Sequence, residues 1–382
     1  MIHRCTLCDS NSLYLIYDSG KGVSVTSVSQ IHSGRTQVYY CPSCCHVHTE
    51  GMVDTADYYS EDYNINLSHE DEDQLYEMNG ERKVYRTEHQ LNVLTSKIDI
   101  GSCTHVLDYG CAKSSMGSKL LELHKTLDLC LFDVSSAYET YWERMVDKGN
   151  CAVSETPSHW NNKFDLLTSF FSMEHIVDIR AALKHMISLI ADGGKLYAIV
   201  PYVLGNIADL VVIDHVHHFT QESLKYVLED TGFCDVQIDK DAHRGALVVI
   251  ATKGKIQKTV VPVAAPHVET QIRKISEFWT GYANRVRQAE LAVSGALAIF
   301  GAGFYGMFSY VCLIQRERVK MFLDNNTFLQ NRKILNVPIV SPTEITPEVE
   351  GVLVGLNPTI ARNVIAQLPS QITLQRSLFF FD

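Results

Sequence analysis

The sequence predicts an α/β chain: a doubly wound sheet in the middle, a small cysteine-bearing module before it, and a Rossmann-like domain behind it. Three observations predict this. Two CxxC pairs stand near the start, at CTLC and CPSC. Between Thr104 and Thr252, apolar strand-length runs alternate with amphipathic helical stretches. A second strand–helix series begins at GALAIFGAG.

Size and composition agree with that layout. The chain has 382 residues, 46% of them apolar and 20% charged, and single cores rarely grow past ~250 residues. A formal charge of −11 excludes a protein that tracks nucleic-acid phosphates, which needs surplus Lys and Arg. No apolar stretch reaches the ~18 residues of a membrane span, and MIHRCTLCDSNSLYL lacks the apolar run of a signal peptide. The expectation is a cytoplasmic monomer or homodimer with no membrane or nucleic-acid partner.

In a reducing compartment, clustered thiols point to metal. Eleven cysteines occur, and only Cys5, Cys8, Cys41, Cys44 and Cys45 cluster. Each CxxC places two thiolates on one tight turn, and two such turns close a tetrahedron around Zn2+. Cys5, Cys8, Cys41 and Cys44 would leave no place for water, so the site would be structural, holding together residues 1–55. Cys45, His46 and His48 stand close enough to replace a ligand. Free cysteines are the bland alternative.

Residues 56–252 form the middle unit, with a polar, tyrosine-rich and then helical lead-in up to residue 100. The strands are THVLDYG, LDLCLFDV, KFDLLTSFF, GKLYAIVPY and ALVVIATK. The turn VLDYGCAKS follows the first of them. It is similar to the acid-then-GxGxG loop of class I methyltransferases, where the chain reverses tightly so that backbone approaches the methionine part of S-adenosylmethionine. Here Ala112 and Ser114 replace two glycines. Asp133, ending the second strand, is placed to accept a ribose diol. KFDLL with SMEHI, and ADGGKL, match later landmarks in order. Asp108, Gly110, Ala112, Asp133 and Ser172 are the cofactor candidates. A nicotinamide site is disfavoured because no glycine stands two residues after Gly110.

The loop Asp214-His215-Val216-His217-His218-Phe219-Thr220 carries three imidazoles and a carboxylate, with Thr220 capping the helix that follows. Such groups are costly to bury without partners. Methyl transfer is an in-line displacement needing an aligned nucleophile. A carbon nucleophile also needs a base to form an enolate and a group to stabilise its oxygen. The economical assignment is His215 as base, Asp214 orienting or polarising it, and His175 of SMEHI stabilising the enolate oxygen or holding the substrate. Tyr76, Tyr85 and His217 are candidate pocket residues.

Residues 253–382 comprise a linker, KGKIQKTVVPVAAP, a long helix, and the second dinucleotide-type fold. Gly301, Gly303 and Gly306 follow the strand ALAIF, and Asp324 ends the next strand; this is a GxGxxG fingerprint in its proper context. Gly303, Tyr305 and Asn325 are the substrate candidates here.

Taken whole, the chain resembles the three-part C-methyltransferases that act on nucleotide-linked 4-keto-deoxysugars in deoxysugar biosynthesis. The cysteine knuckles, VLDYGCAKS, SMEHI, DHVHHFT, GAGFYG, FLDNN and VPIVSP carry the resemblance. It implies S-adenosylmethionine and structural zinc as cofactors and a nucleotide sugar as substrate. It also implies that Asp214-His215 supplies the base, that His175 assists, and that the C-terminal domain holds the sugar nucleotide without nicotinamide. Two departures stand out: the glycine-poor donor loop, and Val212, where the family tends to carry tyrosine. The alternatives are an O- or N-methyltransferase on a related sugar or small molecule, a NAD-dependent enzyme using the C-terminal domain, and a zinc-containing binding protein without activity.

Overall fold

The computed structural model describes residues 4–20, 24–50, 52, 72–79, 82–255, 265–368 and 376–382. The tyrosine-rich stretch after residue 55 and most of the 253–266 linker lie outside the described residues. Among the described residues, no helix is long and apolar enough to cross a membrane.

The central sheet has seven strands, in the order Cys151–Val153, Asp128–Asp133, His105–Tyr109, Phe164–Phe170, Ile190–Pro201, Ala246–Lys253, Phe233–Asp239. Its first five strands run parallel. Ala246–Lys253 then inserts antiparallel between Ile190–Pro201 and Phe233–Asp239. The strand order reverses beside His105–Tyr109. In an open α/β sheet the ligand crevice forms outside the strand ends at such a reversal, which places the loop after Tyr109 there. The five strands read from sequence are all present. Cys151–Val153 and Phe233–Asp239 are two more, short or irregular enough that apolar runs do not mark them.

The C-terminal sheet has the order Lys333–Ile334, Val337–Val340, Val319–Leu323, Ala296–Phe300, Val349–Val354, Ser377–Phe379. It is parallel except for its first edge strand. Gly306 lets the helix Phe304–Cys312 sit against the sheet, because a Cβ there would lie 1.8 Å from the Gly301 carbonyl oxygen.

The N-terminal module is not the separate unit that residues 1–55 suggest. Its sheet, Tyr14–Asp18, Gln37–Cys41 and His46–Thr49, takes a fourth strand from the middle unit, His217–His218. His217 pairs with His48 and His218 with Val47. The C-terminal unit clamps the same region. Helix Pro266–Leu291 sets Trp279 Nε1 2.6 Å from the Ile207 carbonyl, and Ser276 bonds the Ile16 carbonyl. One continuous apolar core therefore joins Tyr17, Val38 and Val47 of the module to Leu210 and Val211 of the middle and Trp279, Tyr305 and Phe308 of the C-terminal unit.

Candidate active site

The donor loop is built on strain that its neighbours offset. Gly110 has φ +71°, Ala112 φ +46° and Ser114 φ +55°. For the two non-glycine residues this left-handed region costs ~1–2 kcal/mol each. Ala112 is held at both ends: its N–H donates to Asp133 Oδ2 at 2.8 Å, and its carbonyl accepts from Trp142 Nε1 at 2.7 Å. Ser114 Oγ donates to Asp108 Oδ2 at 2.7 Å. Gly110 meets a tighter limit, since a Cβ would sit 2.6 Å from Ser172 Oγ.

The loop opens on a cavity of about 700 Å3, within the ~300–1000 Å3 usual for small-molecule sites. Asp108, Gly110, Ala112, Asp133, Tyr138, Phe171, Ser172 and His175 are among the residues lining it. Arg86 lies over the Phe171 ring, 3.7 Å from its centroid. Asp133 is nine-tenths buried; its oxygens accept from the N–H groups of Ala112 and Ser135 at 2.8 and 3.0 Å. Each oxygen keeps a second lone pair, so a diol can still be bound. Burial pushes the Asp133 carboxyl up from its ordinary value. Asp133→Ala is expected to weaken donor binding by ~1–3 kcal/mol, read by calorimetry with S-adenosylhomocysteine; unchanged affinity removes Asp133 from the site.

Asp108 is held from within the fold. Both of its oxygens are engaged, by Ser114 Oγ at 2.7 Å and Thr168 Oγ1 at 3.2 Å. Burial holds its carboxyl up at about 6 despite those two donors. It shapes the loop and lines the cavity.

The reacting end is assembled from two turns. Met173–His175 follows the strand Phe164–Phe170, and the segment 207–218 follows Ile190–Pro201. The rings of His175 and His215 stand 4.8 Å apart, nearly perpendicular at 81°. His175 Nδ1 donates to the Asp214 carbonyl at 3.0 Å, which leaves Nε2 with the lone pair. Asp214 does not orient His215. Its carboxylate accepts from Ser27 N at 2.7 Å and Ser27 Oγ at 2.6 Å, tying the loop to the N-terminal module. The orienting carboxylate is Asp209, whose Oδ1 lies 2.6 Å from His215 Nδ1. A fully buried acid inside the apolar run IADLVVI was the available signal, because a buried carboxylate needs a partner.

Electrostatics separate the two imidazoles. Burial works to lower His215, but the hydrogen bond and charge of Asp209 win and lift it to about 9. Burial and the neighbouring His215 charge push His175 down to about 4. Burial favours a raised Asp209 as well, yet the facing His218 and His215 bring that carboxyl down to about 2. Glu174, buried beside them, is raised by burial to about 7. The two neighbouring imidazoles are thus pushed in opposite directions, His215 up and His175 down.

A larger cavity, about 1700 Å3, adjoins the first, with Asp73 and Gln74 in the walls of both. Tyr76, Gly303, Tyr305 and Asn325 line it, as does Ser27, the partner of Asp214. The Tyr76 ring is stacked on His89 at 3.9 Å, and its hydroxyl accepts from Arg244 N at 2.8 Å. Tyr305 spends its hydroxyl on Ala208 N at 3.2 Å, bracing the turn that carries Asp209. Tyr85 packs edge-on against Phe328. His217 is corrected: it is fully buried and, like His215, is in the lining of neither cavity, with Nδ1 3.1 Å from His46 Nε2 and Nε2 on the Ile176 carbonyl at 2.9 Å. The C-terminal crevice repeats the donor crevice in miniature. Asp324 accepts from Ala302 N and Asn326 N, each at 2.8 Å, as Asp133 does from Ala112 and Ser135.

In the N-terminal module, Cys5 and Cys44 sulfurs are 3.6 Å apart, as are those of Cys8 and Cys41, and all four lie within 4.8 Å of one another. A tetrahedron with Zn–S bonds of ~2.3 Å has edges of ~3.8 Å. The four thiols fit one such ion.

Residues 82–238 match the family model described as a methyltransferase domain. That stretch contains the donor loop, Asp133, the His175 turn and the His215 loop. The middle of the chain is similar to a methyltransferase domain. No curated protein matches the sequence. Among solved structures, the methyltransferase domain is similar to an S-adenosylmethionine-dependent methyltransferase from Archaeoglobus fulgidus, at 17% identity over 44% of this chain and 95% of that one, with a TM-score of 0.36. One from Mesorhizobium loti gives 12%, 43%, 98% and 0.35. The CurJ carbon methyltransferase gives 15%, 44%, 55% and 0.36. The chain spans about half the length of CurJ and of PigF, at 55% and 54%. At these TM-scores the likenesses carry no argument about acceptor or substrate.

Proposed function

We propose that the protein transfers a methyl group from S-adenosylmethionine to the carbon beside the keto group of a nucleotide-linked 4-keto-deoxysugar. One observation carries this reading: the His175 and His215 rings stand 4.8 Å apart, and His175 is in the wall of the donor cavity. An oxygen acceptor needs at most one proton acceptor. Enolate formation uses two groups, one to take the proton and one to stabilise the oxygen.

Bound in the 700 Å3 cavity, the donor supplies an electrophilic methyl group on a sulfonium. The residues present fit it: Asp133 for the ribose, the bare Gly110 backbone for close approach, and Phe171 and Tyr138 as apolar wall. The charges favour exchanging the expected roles of the histidines. His175, neutral and with its Nδ1–H already committed, takes the proton from carbon. His215, charged by its grip on Asp209, donates a hydrogen bond to the enolate oxygen. The larger cavity, between the strand Leu75–Asn79 and the C-terminal crevice, receives the nucleotide sugar, with Tyr76, Gly303, Tyr305 and Asn325 in its wall. The four cysteines hold structural Zn2+.

The test is proton exchange. Incubated in deuterated water with a nucleoside-diphosphate 4-keto-deoxyhexose and no donor, the enzyme is expected to exchange the hydrogen at C3, seen by NMR. A methylated product formed without prior exchange would instead mark an oxygen or nitrogen acceptor.

A further inference from the structure

His218 is fully buried on the short strand that completes the N-terminal module's sheet. Its Nε2 lies 2.7 Å from Thr49 Oγ1 of that sheet. Its Nδ1 faces Asp209 Oδ2 at 3.3 Å. The other oxygen of the same carboxylate holds His215 at 2.6 Å. Neither His218 Nδ1 nor Asp209 Oδ2 makes an aligned hydrogen bond to any described group, so their 3.3 Å approach is an electrostatic contact between two otherwise unpaired buried atoms. Native folds rarely leave such atoms unanswered. One tautomer serves both ends: Nδ1–H points to Asp209 while Nε2 accepts the Thr49 hydroxyl.

We propose that His218, held by Thr49, is a positioning residue that fixes the Asp209 carboxylate in the orientation in which it grips His215. A carboxylate held through one oxygen rotates about its Cβ–Cγ bond; a contact on the second oxygen removes that freedom. Outer partners of this kind commonly change function ~10–100-fold without touching the reacting groups. The line Thr49–His218–Asp209–His215 joins the cysteine module to the reacting imidazole, which explains why that module contributes a sheet to this loop. The remaining charged and titratable groups facing His215 are Asp214 on its own loop and Glu174 and His175 on the neighbouring turn.

The catalytic consequence rests on the acid–base reading above, whereas the geometric one does not, and the experiment separates them. The full-length protein, labelled with 15N in histidine, is titrated by NMR as wild type, His218→Leu, His218→Asn and Thr49→Val. Losing the His218 N–H is expected to move the His215 midpoint down by about one unit and to lower kcat ~10-fold with little change in donor KM. Asparagine, whose amide N–H stands near the Nδ1 position, restores most of both. Thr49→Val, nearly isosteric, gives a smaller shift in the same direction, and it decides the matter alone where His218→Leu does not fold. An unmoved His215 midpoint in the folded variants overturns the proposal. A moved midpoint, in a protein whose His215→Asn variant still turns over normally, upholds the positioning and overturns the acid–base reading.

Discussion

Replacing Asp209 by asparagine is expected to lower kcat ~100-fold or more while leaving donor affinity within a factor of about two. The carboxylate touches neither cavity. It acts by keeping His215 protonated and by fixing which ring nitrogen faces it. The pH profile shows which role His215 plays. With His175 as base and His215 as the proton-bearing partner, kcat/KM rises as pH passes about 4, stays level, and falls as pH rises through about 9. An amide at position 209 removes the negative charge that lifts His215. The alkaline limb then moves down toward the ordinary histidine value of ~6.5, and at pH 8 most of the variant has lost its imidazolium. Rates measured from pH 4 to 10 check this. A wild-type profile that climbs through pH 9 returns the role of base to His215.

Cys41→Ser is expected to abolish both zinc binding and activity, though Cys41 lies in neither cavity. Structural zinc in small domains contributes apparent binding free energies of ~10–16 kcal/mol, which are largely folding free energy. Cys41 ends the strand Gln37–Cys41, which pairs with His46–Thr49, which pairs in turn with His217–His218. Losing the ion loosens the inner strands, and with them the Ser27 clamp on Asp214 and the Thr49 contact to His218. Metal content, a thermal melt and turnover measured on one preparation should fall together. A variant that lacks zinc yet melts and turns over like wild type would disconnect the module from the chemistry.

Much of the chassis was legible in residue pattern. The five strands around the donor crevice, the CxxC pairs and Asp133 each follow from local rules: alternating apolar runs, thiolate spacing, an acid at a strand end. The imidazole pair was legible too, because both histidines sit on loops at one sheet edge. What escaped were partnerships. Asp214 stands beside His215 in the chain, yet its carboxylate turns to Ser27, 187 positions away. Tyr305 lines the expected cavity but commits its hydroxyl to Ala208.

The sequence alone pointed to a donor loop, two CxxC knuckles and two histidine-bearing turns, since each of these depends on residues a few positions apart. Only the tertiary structure decided which carboxylate charges which imidazole. The Asp209–His215 hydrogen bond at 2.6 Å and the Asp209–His218 contact at 3.3 Å both form within the 207–218 segment, whose path is set by distant partners, Ser27 of the module on Asp214 and Trp279 of the C-terminal helix on Ile207. A spacing rule can name a carboxylate, but whether it charges its neighbour depends on the side to which the backbone turns it.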